Sequence, residues 1–164
     1  MKKLLLILAM ACLLTACTGE KTLETVEDVY APQETAPMQL SLTLPQEASV
    51  QTLSSAEGQL YLCDGYTVAV QTFQGGDLNR TVRETTGYAL DRLTFIETEK
   101  DDMACYRFSW VSLGEGGDQA ARTLILDDGL YHYAVTVMAP AAAAGTLTDV
   151  WQEIFNSVRF STAP

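Results

Sequence analysis

The sequence predicts an α+β domain built on a central antiparallel sheet of about six strands, with a short mid-chain helix and a C-terminal amphipathic helix packed on it. Three observations carry that expectation. Apolar and polar residues alternate in several short runs joined by Asp-Gly turns, at Asp64-Gly65 and Asp128-Gly129. A Gly-Gly-Asp break at Gly75-Gly76-Asp77 opens a short helical pattern that closes at Gly87. Near the C-terminus Leu147, Val150, Trp151, Ile154 and Val158 recur on one helical face.

Taken in order, residues 38–44 alternate Met-Gln-Leu-Ser-Leu-Thr-Leu, a half-buried strand that Pro45 ends. A short piece follows at 50–53. Residues 59–63 and 66–73 then form the clearest hairpin, because both positions of a two-residue turn need positive φ and Asp-Gly supplies them. Such a turn sets Cys63 opposite Tyr66 and Tyr61 opposite Val68, four residues on one core face. Asp77 caps the mid-chain helix, in which Leu78, Val82 and Thr85 make the buried stripe while Arg80, Arg83 and Glu84 face water.

Residues 93–98 and 103–111 pair through the turn Glu99-Lys100-Asp101-Asp102. In the second strand Ala104, Tyr106, Phe108 and Trp110 share a buried face, and Cys105, Arg107 and Ser109 share the opposite one. A polar loop at 114–118 leads to strands at 120–127 and 130–138. A two-residue Asp128-Gly129 turn pairs Leu126 with Tyr131 and Leu124 with Tyr133, with Tyr131, Tyr133 and Val135 on one side and His132 on the other. After an alanine-rich connector at 139–145, Thr146 and Asp149 resemble a capping box for the closing helix, which Asn156-Ser157 ends. Arg159-Phe160 return briefly to the sheet.

This order of elements, with Leu44-Pro45 ending the first strand, the Gly-Asp-Leu helix closing at Gly87, the Tyr131-His132-Tyr133 strand and the closing Trp151, Ile154-Phe155-Asn156-Ser157-Val158-Arg159-Phe160 signature, resembles the PsbP-like domain. The resemblance spans residues 38–160. It implies a central antiparallel sheet with helices on both faces, an α/β/α sandwich that the yeast Ran-binding import factor shares, and a role as an assembly, stabilising or binding subunit. It implies no functional residue, because no motif residue of this chain matches one.

The leader decides where this domain is expected to reside. Lys2 and Lys3 precede an apolar run from Leu4 to Leu14, and Leu14-Thr15-Ala16-Cys17 closes it with small residues before a cysteine. That ending resembles the lipobox of bacterial lipoproteins. The resemblance implies cleavage between Ala16 and Cys17 and a diacylglycerol on the Cys17 sulfur. The apolar run is too short for a bilayer span, which needs about 20 residues. An ordinary secretory signal cut after Ala16, or a buried helix, uses the same leucines, and the cysteine directly after the cut separates the readings. Two acyl chains anchor stably where one does not. Residues 1–16 are therefore expected to be a signal peptide, 17–37 a lipidated N-terminus and Glu-, Thr- and Pro-rich flexible tether, and 38–164 a single globular domain on the extracytoplasmic face of the cell membrane. As a flexible chain the tether gives a standoff on the order of 25 Å.

Lys2 and Lys3 leave with the leader, so ten basic residues fall to eight against 21 acidic ones, a formal charge of −13. That charge repels nucleic acid and anionic headgroups. The expected partners are the membrane, through the lipid on Cys17, and an unidentified envelope protein, the domain itself being a monomer. No cofactor and no metal site is expected. The chain has one histidine, no H-E-x-x-H, no G-x-S-x-G and no phosphate loop. His132 reads as a half-exposed sheet histidine and the Gly114 to Asp118 loop as a solvated hairpin loop in place of a calcium loop. Asp101-Asp102, Asp127-Asp128 and the Glu115 and Asp118 pair fall at turns, where carboxylates serve the backbone and not a glycosidase. No catalytic residue is assigned. Cys63 and Cys105 are expected to be separate thiols, on the argument that both core faces are the same side of the sheet. The function expected is a non-enzymatic, membrane-tethered binding or assembly module. The alternative is a receptor for a cation or other small ligand in a tyrosine-lined cavity between the sheet and the Trp151 helix, and an enzyme comes third.

Overall fold

The computed structural model describes residues 35–52, 58–114 and 117–161. The leader with Ala16 and Cys17, the tether up to residue 34, and Glu115-Gly116 lie outside the described residues. Among those described, seven strands form one sheet. They are β2 (Ser49–Thr52), β3 (Gly58–Cys63), β4 (Tyr66–Gln74), β5 (Ile96–Lys100), β6 (Met103–Ser112), β7 (Gln119–Asp127) and β8 (Tyr131–Pro140). Their spatial order is β2-β3-β4-β8-β7-β6-β5, every neighbouring pair antiparallel. The count is seven and not about six because the short piece at Ser49–Thr52 pairs fully with β3 as an edge strand.

A separate two-stranded ribbon pairs β1 (Gln39–Ser41) with β9 (Arg159–Ser161). The alternating run at 38–44 is thus strand for only three residues, the length its partner β9 can match; Leu42 and Leu44 pack on the core as extended chain. Arg159-Phe160 joins this ribbon and not the main sheet.

Helix α1 (Leu78–Thr86) lies on one face of the sheet. The Asp77 side chain accepts from the Arg80 amide at 3.0 Å, and Gly87 ends the helix in the left-handed region at φ 79°. Its fully buried residues are Thr81 and Val82, with Leu78 and Thr85 only partly covered. Val82 and Leu78 pack in one cluster with Phe108, Trp110, Ala121, Ile125 and Ala134. Trp110 Nε1 donates to Thr123 Oγ1, which shares a hydrogen bond with Thr136 Oγ1, each at 2.9 Å, so the polar atoms of this core satisfy one another across three strands.

Helix α2 (Thr148–Ser157) covers the opposite face, burying Trp151, Ile154 and Phe155 against Leu124, Leu126, Tyr133, Val135 and Val137. The capping box does not form. A 3₁₀ turn at Ala144–Leu147 precedes α2, and the Thr146 hydroxyl donates to the Ala143 carbonyl within that turn. With a core on each face, β7 and β8 are buried on both sides and read as near-continuous apolar runs.

Two turns fix the register from β5 to β8. β5 and β6 join through Asp101 and Asp102 alone, both at positive φ, so β5 is Ile96–Lys100, displaced along the chain from 93–98. Between β7 and β8 the register is Leu126 with Tyr133 and Leu124 with Val135, two residues from a two-residue turn. Asp127 Oδ1 accepts from the Gly129 amide and Asp128 Oδ1 from the Leu130 and Tyr131 amides, building a longer loop. The loop carries Leu130 so close to β4 that a Cβ on Gly75 would meet the Leu130 carbonyl at 2.8 Å. Only glycine fits there.

Candidate functional site

The parity of β6 and β7 determines which side chains face α2. On β6 these are Met103, Cys105, Arg107, Ser109 and Val111; on β7 they are Leu126, Leu124, Arg122 and Ala120. Midway along both strands this face turns polar, at Arg107, Ser109 and Arg122, before Val111 and Ala120. Helix α2 seals the apolar half and stops short of the rest. What it leaves open is a groove of about 580 Å³ lined by eleven residues, among them Arg92, Arg107, Ser109, Arg122, Gln152 and Phe155. A second hollow of about 310 Å³ shares Ser109 and Arg122 and reaches Trp151. Arg92 belongs to the segment between α1 and β5, and lines the groove where β6 runs on past the end of its pairing with β5 at Arg107.

The charge of this groove opposes that of the chain. Acidic residues outnumber basic ones 21 to 10, yet three arginines and no carboxylate line it. Ser109 pairs with Arg122 and Leu124 with Arg107, so the two guanidinium-bearing residues are diagonal neighbours on one face, about 7 Å apart. Two like charges about 7 Å apart repel by about 2 kcal/mol at an effective dielectric of about 20, the value for pairs near a protein surface. None of the three arginines has an ion-pair partner among the described residues. The Arg122 guanidinium sits 5.4 Å over the Trp151 ring, which holds it without neutralising it. Arg107 Nε is buried without a hydrogen-bond partner among the described residues, as is Nε1 of Trp151, a residue only 2% exposed.

His132 is fully buried, not half-exposed. It lies under α1, its Nδ1 sharing a 2.7 Å hydrogen bond with Thr81 Oγ1 and its Nε2 3.4 Å from Asp127 Oδ2. Hydroxyl, imidazole and carboxylate stand in the order of a nucleophilic triad, but Thr81 is 1% exposed and no substrate reaches its oxygen. The constellation joins α1 to β8. The paired acids do turn work: Asp127 and Asp128 accept backbone amides, and Asp101-Asp102 is the β5–β6 turn itself. Among the described residues no three His, Cys, Asp or Glu side chains gather as a metal site would require.

Cys63 and Cys105 are both free thiols. They lie on the same face, because the two aromatic and aliphatic cores are on opposite sides of the sheet. Four strand spacings separate them, about 19 Å, well beyond the roughly 7 Å a disulfide spans. Among the described residues, Tyr66 and Tyr133 are packed into the core between the sheet and α2 and do not line an open cavity there. The arginine groove, which the alternation of β6 contains only as Arg107 and Ser109 on the face away from the aromatics, was not legible as a site. The signal available was two strand arginines, Arg107 and Arg122, whose cross-strand partners Ile96, Leu124, Ser109 and Val137 include no acid.

No family model matches the chain, and no curated protein is similar to it. Solved structures are. The cyanobacterial PsbP of Synechocystis sp. PCC 6803 superimposes with a TM-score of 0.52 at 9% identity, over 80% of this chain and 97% of that one. The fold is PsbP-like. LpqN of Mycobacterium tuberculosis, described as involved in cell envelope biogenesis, gives 0.51 at 12% identity over 79% and 87%. A Bacteroides thetaiotaomicron protein gives 0.51 at 12% identity, over 74% of this chain but only 45% of its own length. At these identities the likeness is one of fold. Among the described residues no helix is long and apolar enough to cross a membrane.

Proposed function

We propose that this chain is a non-enzymatic binding protein of the bacterial cell envelope, anchored through a diacylglycerol on Cys17, whose working surface is the groove that α2 leaves open on the sheet. The observation that carries the reading is that groove: about 580 Å³, within the size of small-ligand sites, in a domain whose other face is closed by α1. The lipobox-like leader supports the anchor, and the PsbP-like fold, shared with a protein involved in envelope biogenesis, agrees with an envelope role. The burial of Thr81 and His132 supports binding over catalysis. Guanidinium groups line the groove, which favours an anionic over a cationic ligand.

Two measurements test it. Radiolabelled palmitate should mark the wild type and not Cys17→Ser, which should leave the membrane fraction. Native mass spectrometry of protein extracted from its own membranes should find a small molecule lost when Arg122 is replaced by Glu. An unlabelled wild type refutes the anchor, and identical spectra for wild type and variant refute the groove.

A second reading, an assembly module, is favoured by one observation. Among the described residues the outer side of β6 has no strand partner beyond Arg107, and Val111 and Leu113 at its end are exposed. An extended partner segment could pair there. Crosslinking in the native membrane should then recover one protein through Leu113, and random neighbours alone would dismiss it.

A further inference from the structure

We propose that the groove beside α2 binds a small organic oxyanion, a carboxylate or phosphate monoester carried on an apolar body. Arg107 and Arg122 receive its oxygens and Phe155 packs on its body. This rests on the small-ligand reading above and names the ligand's chemistry.

The groove holds unmet N–H donors and no carboxylate to accept from them. Three buried side-chain polar atoms lack a partner among the described residues, and two of them, Arg107 Nε and Trp151 Nε1, belong to residues lining this groove and its adjoining hollow. Both are N–H donors. The guanidinium of Arg122 adds donors with no carboxylate to meet them, stacked over the Trp151 ring. Leaving such groups unmet costs stability, since a buried unsatisfied donor forfeits its hydration for nothing. An ionised carboxylate or phosphate is the group that accepts only, and guanidinium forks match its geometry. One oxyanion between Arg107 and Arg122 also turns their mutual repulsion into attraction on both sides.

The other lining residues set the size and the rest of the ligand. Phe155 from α2, Leu93 and Ile96 give the groove an apolar wall, and Ile96 is 64% exposed as the structure stands. A bare inorganic ion would leave that wall in water. The excess of acid over base across the chain, 21 to 10, repels a polyanion such as nucleic acid or a charged bilayer at long range, whereas a small anion meets mainly the local arginines.

The two tryptophans provide the readout. Trp110 Nε1 is bonded to Thr123 on the α1 face, while Trp151 Nε1 is unbonded beside the groove. In the full chain, labelled with ¹⁵N and held in a non-ionic detergent micelle, phenyl phosphate should move the Trp151 indole resonance and leave that of Trp110 in place. Arg122→Gln and Arg107→Gln should each weaken the response by about tenfold or more, the worth of one charged hydrogen bond. The unmoved Trp110 signal shows that each variant is folded. Benzyl alcohol, the neutral analogue, should bind at least about tenfold more weakly. If benzyl alcohol moves Trp151 as strongly as phenyl phosphate does, the groove is a ligand site but the oxyanion assignment is wrong. If neither moves it, the assignment and the small-ligand reading fall together. Phosphatidic acid, a lipid that carries a phosphate monoester, doped into the micelle separates two sources of the same chemistry. A matching Trp151 shift places the oxyanion on a lipid headgroup, and an unmoved signal beside a phenyl phosphate response places it on a free solute.

Discussion

The Arg122 guanidinium lies 5.4 Å over the ring of Trp151, so the residue that contributes most to the α2 core also holds a cation at the mouth of the groove. Two energies meet in one side chain. Trp151→Ala removes a buried aromatic and should cost about 3 to 5 kcal/mol in urea unfolding. Arg122→Ala loses the stacking and some stem packing, about 1 kcal/mol, but also relieves its repulsion with Arg107, so its net cost should be small. The double variant should be less unstable than the two losses added, by about 0.5 to 1 kcal/mol. Strict additivity would mean that the arginine is not held by the ring.

Thr81 and His132 tie α1 to the sheet through one buried hydrogen bond of 2.7 Å. Thr81→Val keeps the shape and removes the oxygen, leaving His132 Nδ1 unmet in an apolar surrounding. The expected loss is about 1 to 3 kcal/mol. Helix α1 has few fully buried residues, Thr81 and Val82, so the loss should show as faster amide exchange in Leu78–Thr86 before it shows in α2. Equal acceleration in both helices would mean that the bond serves the whole fold and not this helix.

Cys63 and Cys105 should give the same intact mass with and without reductant, and they should differ in reactivity. Burial pushes the Cys63 thiol above its ordinary range, although the Tyr66 hydroxyl works against it, and Cys63 is partly exposed while Cys105 is fully buried. Iodoacetamide should therefore label Cys63 slowly at neutral pH, faster as pH rises, and Cys105 only after unfolding. Labelling of Cys105 in the native protein would place it nearer the surface than its packing allows.

These thiols also show what was legible in the chain. Alternation assigns each cysteine to its face correctly within its own hairpin, because side-chain direction in a strand is local. Whether two hairpins bury the same side is a tertiary fact, and here they bury opposite sides. The hairpin at Asp64-Gly65 has the register its two-residue turn dictates, Cys63 with Tyr66. That at Asp128-Gly129 does not, because two aspartate side chains capture loop amides and extend the turn. The groove was hidden for the same kind of reason. Arg92, Arg107 and Arg122 come from three separate segments, and only the packing of α2 short of Ser109 leaves them facing a common space.

Tyr66 and Tyr133 make the alkaline limit of the fold predictable. Burial first, then the neighbouring Cys63 thiol, pushes the Tyr66 hydroxyl up to about 12; burial first, then a bond to Asp128 opposed by one from the Met38 amide, does the same for Tyr133. Both values stand above the ordinary 10 of an unfolded chain, so the stability these groups contribute is fully present below pH 10. Between pH 10 and 12 the unfolded chain releases these protons and the folded one keeps them, and stability falls as pH rises. The two tyrosines differ at neutral pH. Tyr133 donates to Asp128 Oδ2 at 2.8 Å and accepts from the Met38 amide at 2.9 Å, so Tyr133→Phe should cost about 1 to 3 kcal/mol. The Tyr66 hydroxyl has no geometrically good hydrogen bond among the described residues and only the weak Cys63 thiol beside it, so Tyr66→Phe should be near neutral or slightly stabilising at pH 7. It should also flatten the fall above pH 10, because one of the two late protons is gone. Urea unfolding at pH 7, 10 and 11.5 reads all of these effects. A wild type equally stable at pH 7 and 11.5, or a Tyr66→Phe variant as damaged as Tyr133→Phe, would contradict the burial of these two hydroxyls.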